Sequence, residues 1–153
     1  MATLKSPWVE GSKQLPTPMG SELVNVLLEL DVAAAQTASG DIYHMADLPE
    51  DCVLVDAVYS ATDVDTHGTP THAMSFGILN AAATDIATAL ETAIAVGRAG
   101  TATRMTPTRA TQAVKSTGSA RTPIGYKVTT ASATGAAGTI YLSLTYRAAA
   151  FGA

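Results

Sequence analysis

The chain is poor in most of what marks a catalytic, secreted or membrane-bound protein. Its 153 residues include a single cysteine, Cys52, so no internal disulfide can form and a secreted disulfide scaffold is excluded. Cys52 leads into an apolar run, where a buried, inert thiol is expected. Charged side chains are 14% of the sequence, against about one in four in an ordinary domain. Nine Lys and Arg stand thinly spread beside 13 Asp and Glu. With no basic stripe to neutralise phosphates, nucleic acid is not an expected partner. Aromatics are only 5%, so the core must be largely aliphatic. No apolar run approaches the ~20 residues that span a bilayer, and the opening MATLKSPWVEG lacks the apolar core of a signal peptide. No membrane partner is expected, and synthesis in the cytoplasm is.

Catalytic signatures are missing as well. There is no GxSxG elbow, GxGxxG turn or P-loop. The densest group of potential ligands is Asp63, Asp65 and His67 in DVDTHG. A calcium loop would need further oxygen ligands and a closing Glu, and none follow. His67 and His72 are separated by Gly-Thr-Pro, not set on one helical face as a zinc-binding pair requires. Asp side chains bonding nearby amides in a turn is the expected reading. No catalytic, cofactor-binding or metal-binding residue is expected, and the chain does not read as an enzyme.

What remains is small residues and a strong two-residue period. The length suits one domain able to bury most of its apolar surface without a metal. Low charge with abundant Ala and Thr suggests that much of the outer surface lies against something. Residues 1–20 carry Pro7, Pro16, Pro18, Gly11 and Gly20, which predicts an extended arm before a single domain over 21–153. Trp8 on that arm either folds back onto its own domain or anchors the arm in a pocket of a partner subunit.

Ser21–Val32 predicts the cleanest strand, with Val24, Val26, Leu28, Leu30 and Val32 on one face. Leu23 and Leu27, on the polar side, imply that this face is partly covered too. Asp41–Ala46 suggests a short strand. Cys52–Ser60 and His72–Leu79 alternate around a segment too long for a tight hairpin, so the two strands are neighbours in one sheet or lie in facing sheets. Over 84–97 the pattern changes. Ile86, Ala89, Leu90, Ala93 and Ile94 recur at helical spacing, Thr84 can cap and Gly97 can terminate, so a short helix is predicted, with a covering loop as the competing reading. Ala110–Lys115 reads as a short strand. Pro123–Thr130 and Thr139–Arg147 alternate again, and the small-residue loop between them suggests a terminal antiparallel pair. The expected architecture is a mainly all-β, antiparallel sandwich with Greek-key or jelly-roll connections and one helix in a crossover.

Arg98, Arg104, Arg109, Lys115 and Arg121 spread through the third quarter. They either make a mildly basic edge for an acidic partner surface or simply solvate loops. With Trp8, Pro16 and Pro18, the arginines Arg98, Arg104 and Arg109 form the set of expected partner-binding residues.

LPEDCVLVDAVYSATDVDTHGTPTHAMSFGILNAAATDI, followed by PIGYKVTTASATGAAGTIYLSLTYR, resembles the head decoration, or cement, proteins of tailed bacteriophages. The similarity covers roughly residues 45–147, and it lies in the order and style of the strands rather than in a diagnostic motif. The resemblance implies a non-enzymatic virion protein on the capsid exterior, binding the major capsid protein and itself as a dimer or trimer. A tail-tube, head-completion or head-fibre protein would share the strands. A carbohydrate-binding sandwich would display aromatic platforms, which are not seen in the pattern.

Overall fold

The computed structural model describes residues 1–149 except Ser12, Ser21, Ala113, Lys115 and 117–120. Its strands are β1 (Thr3–Lys5), β2 (Leu23–Val32), β3 (Ile42–Leu48), β4 (Cys52–Ala61), β5 (Ala73–Leu79), β6 (Ile86–Ile94), β7 (Ala102–Arg104), β8 (Thr122–Thr130) and β9 (Gly138–Ala148). They build a five-stranded sheet in the order β1-β3-β8-β5-β6 and a four-stranded sheet in the order β2-β9-β4-β7. Only β1 joins its neighbour in parallel; the other described pairings are antiparallel. The expected β-sandwich is what the chain forms. No helix among the described residues is long and apolar enough to cross a membrane.

Most successive strands change sheet, the β5–β6 hairpin being the exception. Strands β4 and β5 thus lie in different sheets and meet across the core. The expected terminal pair does not form: β8 pairs with β3 and β5, and β9 with β2 and β4. The loop between them bridges two sheets, a span of about 10 Å, rather than turning a hairpin.

Aliphatic side chains fill the space between the sheets around one aromatic group. Tyr59 from β4 meets Phe76 from β5 at 5.1 Å between centroids, and Tyr126 from β8 packs on both at 5.9 and 5.6 Å. Strand β4 departs from strict alternation. Its register slips between Leu54 and Asp56, so Val55 is an extra residue and the inward set becomes Cys52, Leu54, Ala57, Tyr59 and Ala61. A bulge of this kind switches which side chains point inward beyond it.

The helix expected over 84–97 is a strand, β6, ending in a 3-10 turn at Val96–Arg98. Between Ile94 and Ile86 the chain takes eight steps against five on β5. The additional residues, with Ala93 held at φ 58°, leave Leu90 and Ile94 buried four apart in an otherwise exposed strand. Bulges thus imitate helical spacing. A one-turn helix, α1 (Arg109–Gln112), does occupy a crossover, at the place where a strand was expected over 110–115, of which Ala113 and Lys115 lie outside the described residues. Thr108 explains it: its hydroxyl accepts from the Thr111 amide at 3.2 Å, and the Thr111 hydroxyl accepts from the Thr108 amide at 2.8 Å. Reciprocal bonding of this sort starts a helix.

Candidate binding surfaces

The sequence-flagged residues do not converge on one patch. After β1, Trp8 is half-buried and packs against the core, with Lys13 Nζ 5.4 Å from its ring centroid. Its indole N–H is enclosed with no hydrogen-bond partner among the described residues. Pro18 is buried and Pro16 exposed, and the Pro16 carbonyl accepts from the Tyr146 hydroxyl at 2.6 Å. Leu15, just before Pro16, belongs to the core. The segment predicted as an arm thus lies along its own sandwich. Arg98 donates from Nε to the His72 carbonyl at 2.7 Å and from Nη2 to the Thr71 carbonyl at 3.2 Å. Arg104 pairs with Asp56 at 2.8 Å with its side chain largely in solvent. Arg109 is exposed at the start of α1.

Asp63, Asp65 and His67 bond within the fold, while His72 is enclosed beside them. Asp65 is buried, and its carboxylate accepts from the backbone N–H groups of Thr71, His72, Ala133 and Thr134 at 2.7 to 3.0 Å. Burial alone would raise its pKa, but those four donors outweigh it and hold the carboxyl below the ordinary range. Asp63 accepts from the Asp65 amide at 3.0 Å. One carboxylate therefore ties the β4–β5 crossover to the β8–β9 crossover. His72 is fully buried with neither ring nitrogen partnered among the described residues, and burial, aided by Arg98 and opposed by Asp65, lowers its pKa. His67 lies exposed and bonds within its own turn. No group of three or more His, Cys, Asp or Glu suited to a metal occurs among the described residues.

A shallow groove of about 300 Å³ runs between the edge strands β6 and β7, lined by Glu91, Ile94, Thr103, Arg104 and Thr106 among others. Its charged groups are already engaged. Glu91 accepts from the amide and hydroxyl of Thr106 at 2.8 and 3.1 Å, and Arg104 is held by Asp56. Nothing in it is arranged as a nucleophile with a base, or as a cluster of ligands.

The outer face of the four-stranded sheet presents a second candidate surface. Register places Leu23, Arg147 and Val53 in one row, Asn25, Thr145 and Asp56 in the next, then Leu27, Ser143 and Val58, then Glu29, Tyr141 and Ser60. Asn25 Nδ2 donates to the Thr145 and Ser143 hydroxyls at 2.7 and 3.2 Å, and the Thr139 hydroxyl donates to Asp31 at 2.7 Å. Leu23 and Leu27 are 63% and 57% exposed, so within the single chain the described residues leave open a face on which partial cover was expected. Two leucines on the polar side of a strand were the visible signal of this surface, but which strand would lie at a sheet edge was not visible.

No family model and no curated protein matches the chain. Two solved structures do. A chain in the capsid of Ralstonia phage GP4 is 29% identical, superposes with a TM-score of 0.85, and the match covers 97% of this chain and 99% of that one. A chain in the capsid asymmetric unit of cyanophage Pam1 is 21% identical with a TM-score of 0.65, over 88% of this chain and 92% of that one. The second likeness is one of fold.

Proposed function

We propose that this chain is a structural virion protein that binds the outside of a phage capsid and stabilises contacts between major capsid subunits, as a decoration protein does. The observation that carries the reading is the end-to-end match, in sequence and fold, to a chain of the phage GP4 capsid. The surfaces agree with it. The outer face of the four-stranded sheet mixes exposed leucines and half-buried valines with small polar side chains, a make-up suited to protein contact. Repeated over a shell, contacts of modest affinity strengthen it whenever they favour the closed lattice over its separated subunits. By this reading the chain assembles with other capsid subunits and performs no catalysis.

Cosedimentation with empty shells tests the proposal. The protein should pellet with expanded shells, leave unexpanded ones in the supernatant, and raise the temperature at which expanded shells rupture. Rings or tubes formed without shells would move the chain to the tail or connector. Closed shells formed from this chain itself would make it a major capsid protein.

A further inference from the structure

The four lateral edges of the two sheets are not equally protected. At one side, β6 is broken by register shifts and β7 is three residues long. At the other, β1 is also three residues long. Short or bulged edges resist pairing with other chains. Strand β2 has neither defence: ten consecutive residues, Leu23 to Val32, pair with β9 without a shift. No described residue donates to or accepts from its outer backbone edge, although the Lys13 side chain reaches Glu29 at 3.9 Å. Alongside that edge, Val24 and Val26 point inward yet stay half-buried, and Leu23 and Leu27 stand in solvent.

We infer that β2 pairs antiparallel with β2 of a second copy about a two-fold axis through Leu27, joining two four-stranded sheets into one of eight strands. The sequence of β2 is what selects a second copy. A two-fold axis perpendicular to a sheet matches residues of like parity, so outer face meets outer face. Centred on Leu27, it sets Leu27 against Leu27, Asn25 against Glu29 and Leu23 against Asp31 on the outside. On the inside it sets Val26 against Leu28 and Val24 against Leu30. Every inward pair is apolar with apolar, and no two acids oppose each other. Centring on Glu29 would oppose two carboxylates, and centring on Leu28 would set Leu27 against Glu29. Apolar cross-strand pairs are favourable and like charges unfavourable, and the interface is isologous, as a closed dimer requires. The inference does not depend on shell binding.

Light scattering on the full chain should give twice the 15.6 kDa chain mass. Leu27→Lys should return a single-chain mass with an unchanged far-ultraviolet spectrum. Leu27→Cys supplies the test that does not rely on disruption. Directly opposed residues have Cβ atoms about 4.5–5.5 Å apart, close to disulfide reach, so mild oxidation should link most of this variant into dimers. Leu23→Cys, equally exposed, would sit about 26 Å from its symmetry mate at the strand rise and should remain unlinked; Cys52 is buried and contributes nothing. A monomeric wild-type chain would overturn the inference, as would a dimer that survives Leu27→Lys or links through Leu23→Cys in place of Leu27→Cys. A dimer that ignores shells upholds the pairing and sinks the proposed function. A monomer that pellets with shells and loses that binding on Leu27→Lys overturns the pairing and gives the edge to a shell protein.

Discussion

Strand β6 finishes one side of the sandwich with repeated register shifts and a left-handed Ala93, whereas β2 finishes the other with ten uninterrupted pairs and exposed leucines. Polar side chains differ in what they hold on the two sides. Around the β6–β7 side Arg98 caps two carbonyls, Glu91 holds Thr106, Arg104 meets Asp56, and Asp65 gathers four amides nearby. On β2, Asn25 and Asp31 bond the β9 hydroxyls of Thr145, Ser143 and Thr139 on the sheet face, and the Lys13–Glu29 contact is long and exposed on both partners. The difference teaches that one side ends in an irregular edge that offers no continuous template, while the other ends in a regular edge flanked by exposed apolar side chains. Substitutions on the first side should therefore cost folding, and those on the second should cost assembly.

The largest effect is expected at Asp65. Asp65→Ala leaves four backbone donors without their acceptor and removes the link between two crossovers. Bonds to a charged acceptor contribute strongly when buried, so a loss on the order of 3 kcal/mol is expected, or about 10 °C in Tm for a domain of this size. Urea melts of both proteins at neutral pH check it. The pH dependence has a definite sign. Because the folded-state pKa is depressed, the contribution is complete above the ordinary aspartate value of 3.8 and is lost as pH falls through the lower folded value. The stability gap between wild type and Asp65→Ala should accordingly narrow in strong acid; a gap that stays constant there would assign the loss to packing rather than to the carboxylate.

Gly77 comes next. It pairs with Gly125 on one side and Ala89 on the other, and β6 passes so close that an added Cβ would strike the Thr88 carbonyl oxygen. Gly77→Val should push β6 away from β5 at a cost of about 2 kcal/mol, in the range of overpacked sites. Hydrogen exchange would show accelerated exchange confined to 86–94 with β2 and β9 still protected. Uniform loss of protection would mean that β6 is integral to the whole fold and not a separable bulged edge.

These two sites also mark what the sequence could disclose. Strands β2, β4, β5, β8 and β9 were legible because each has one face in a single core, so the two-residue period survives in the residue order. β6 was not legible, since its bulges insert residues that no local pattern announces. Nor was sheet membership: neighbours in sequence lie mostly in opposite sheets, and what decides this is the pairing of distant segments. Asp63 and Asp65 were legible as turn acids, but two of the amides that Asp65 accepts from, at Ala133 and Thr134, lie far along the chain. Of the candidate surface, Leu23 and Leu27 were visible as misplaced apolar residues. Their exposure depends on β2 being an edge strand, which is a property of topology.

A smaller effect is expected at His72. Burial lowers its pKa, so the folded chain holds the ring neutral while the unfolded chain binds a proton below the ordinary value of 6.5. Stability should be flat above that value and decline gently as pH falls below it, well before the Asp65 window opens. Replacing the ring by an apolar one in His72→Phe should remove this mild-acid slope. A slope that persists unchanged would place its origin in another group.

The smallest effect on folding is expected at β2. Leu27 is more than half exposed in the single chain, and exposed positions away from caps and networks usually shift stability by less than about 0.5 kcal/mol. Leu27→Lys should therefore leave the urea midpoint of dilute protein almost unchanged. At high protein concentration the two should separate, because a wild type stabilised by association melts higher as concentration rises, while the variant does not. If Leu27→Lys instead lowers the dilute midpoint as much as Gly77→Val does, Leu27 is bound into the single-chain fold, and the division between a bulged edge and a regular edge open to association fails.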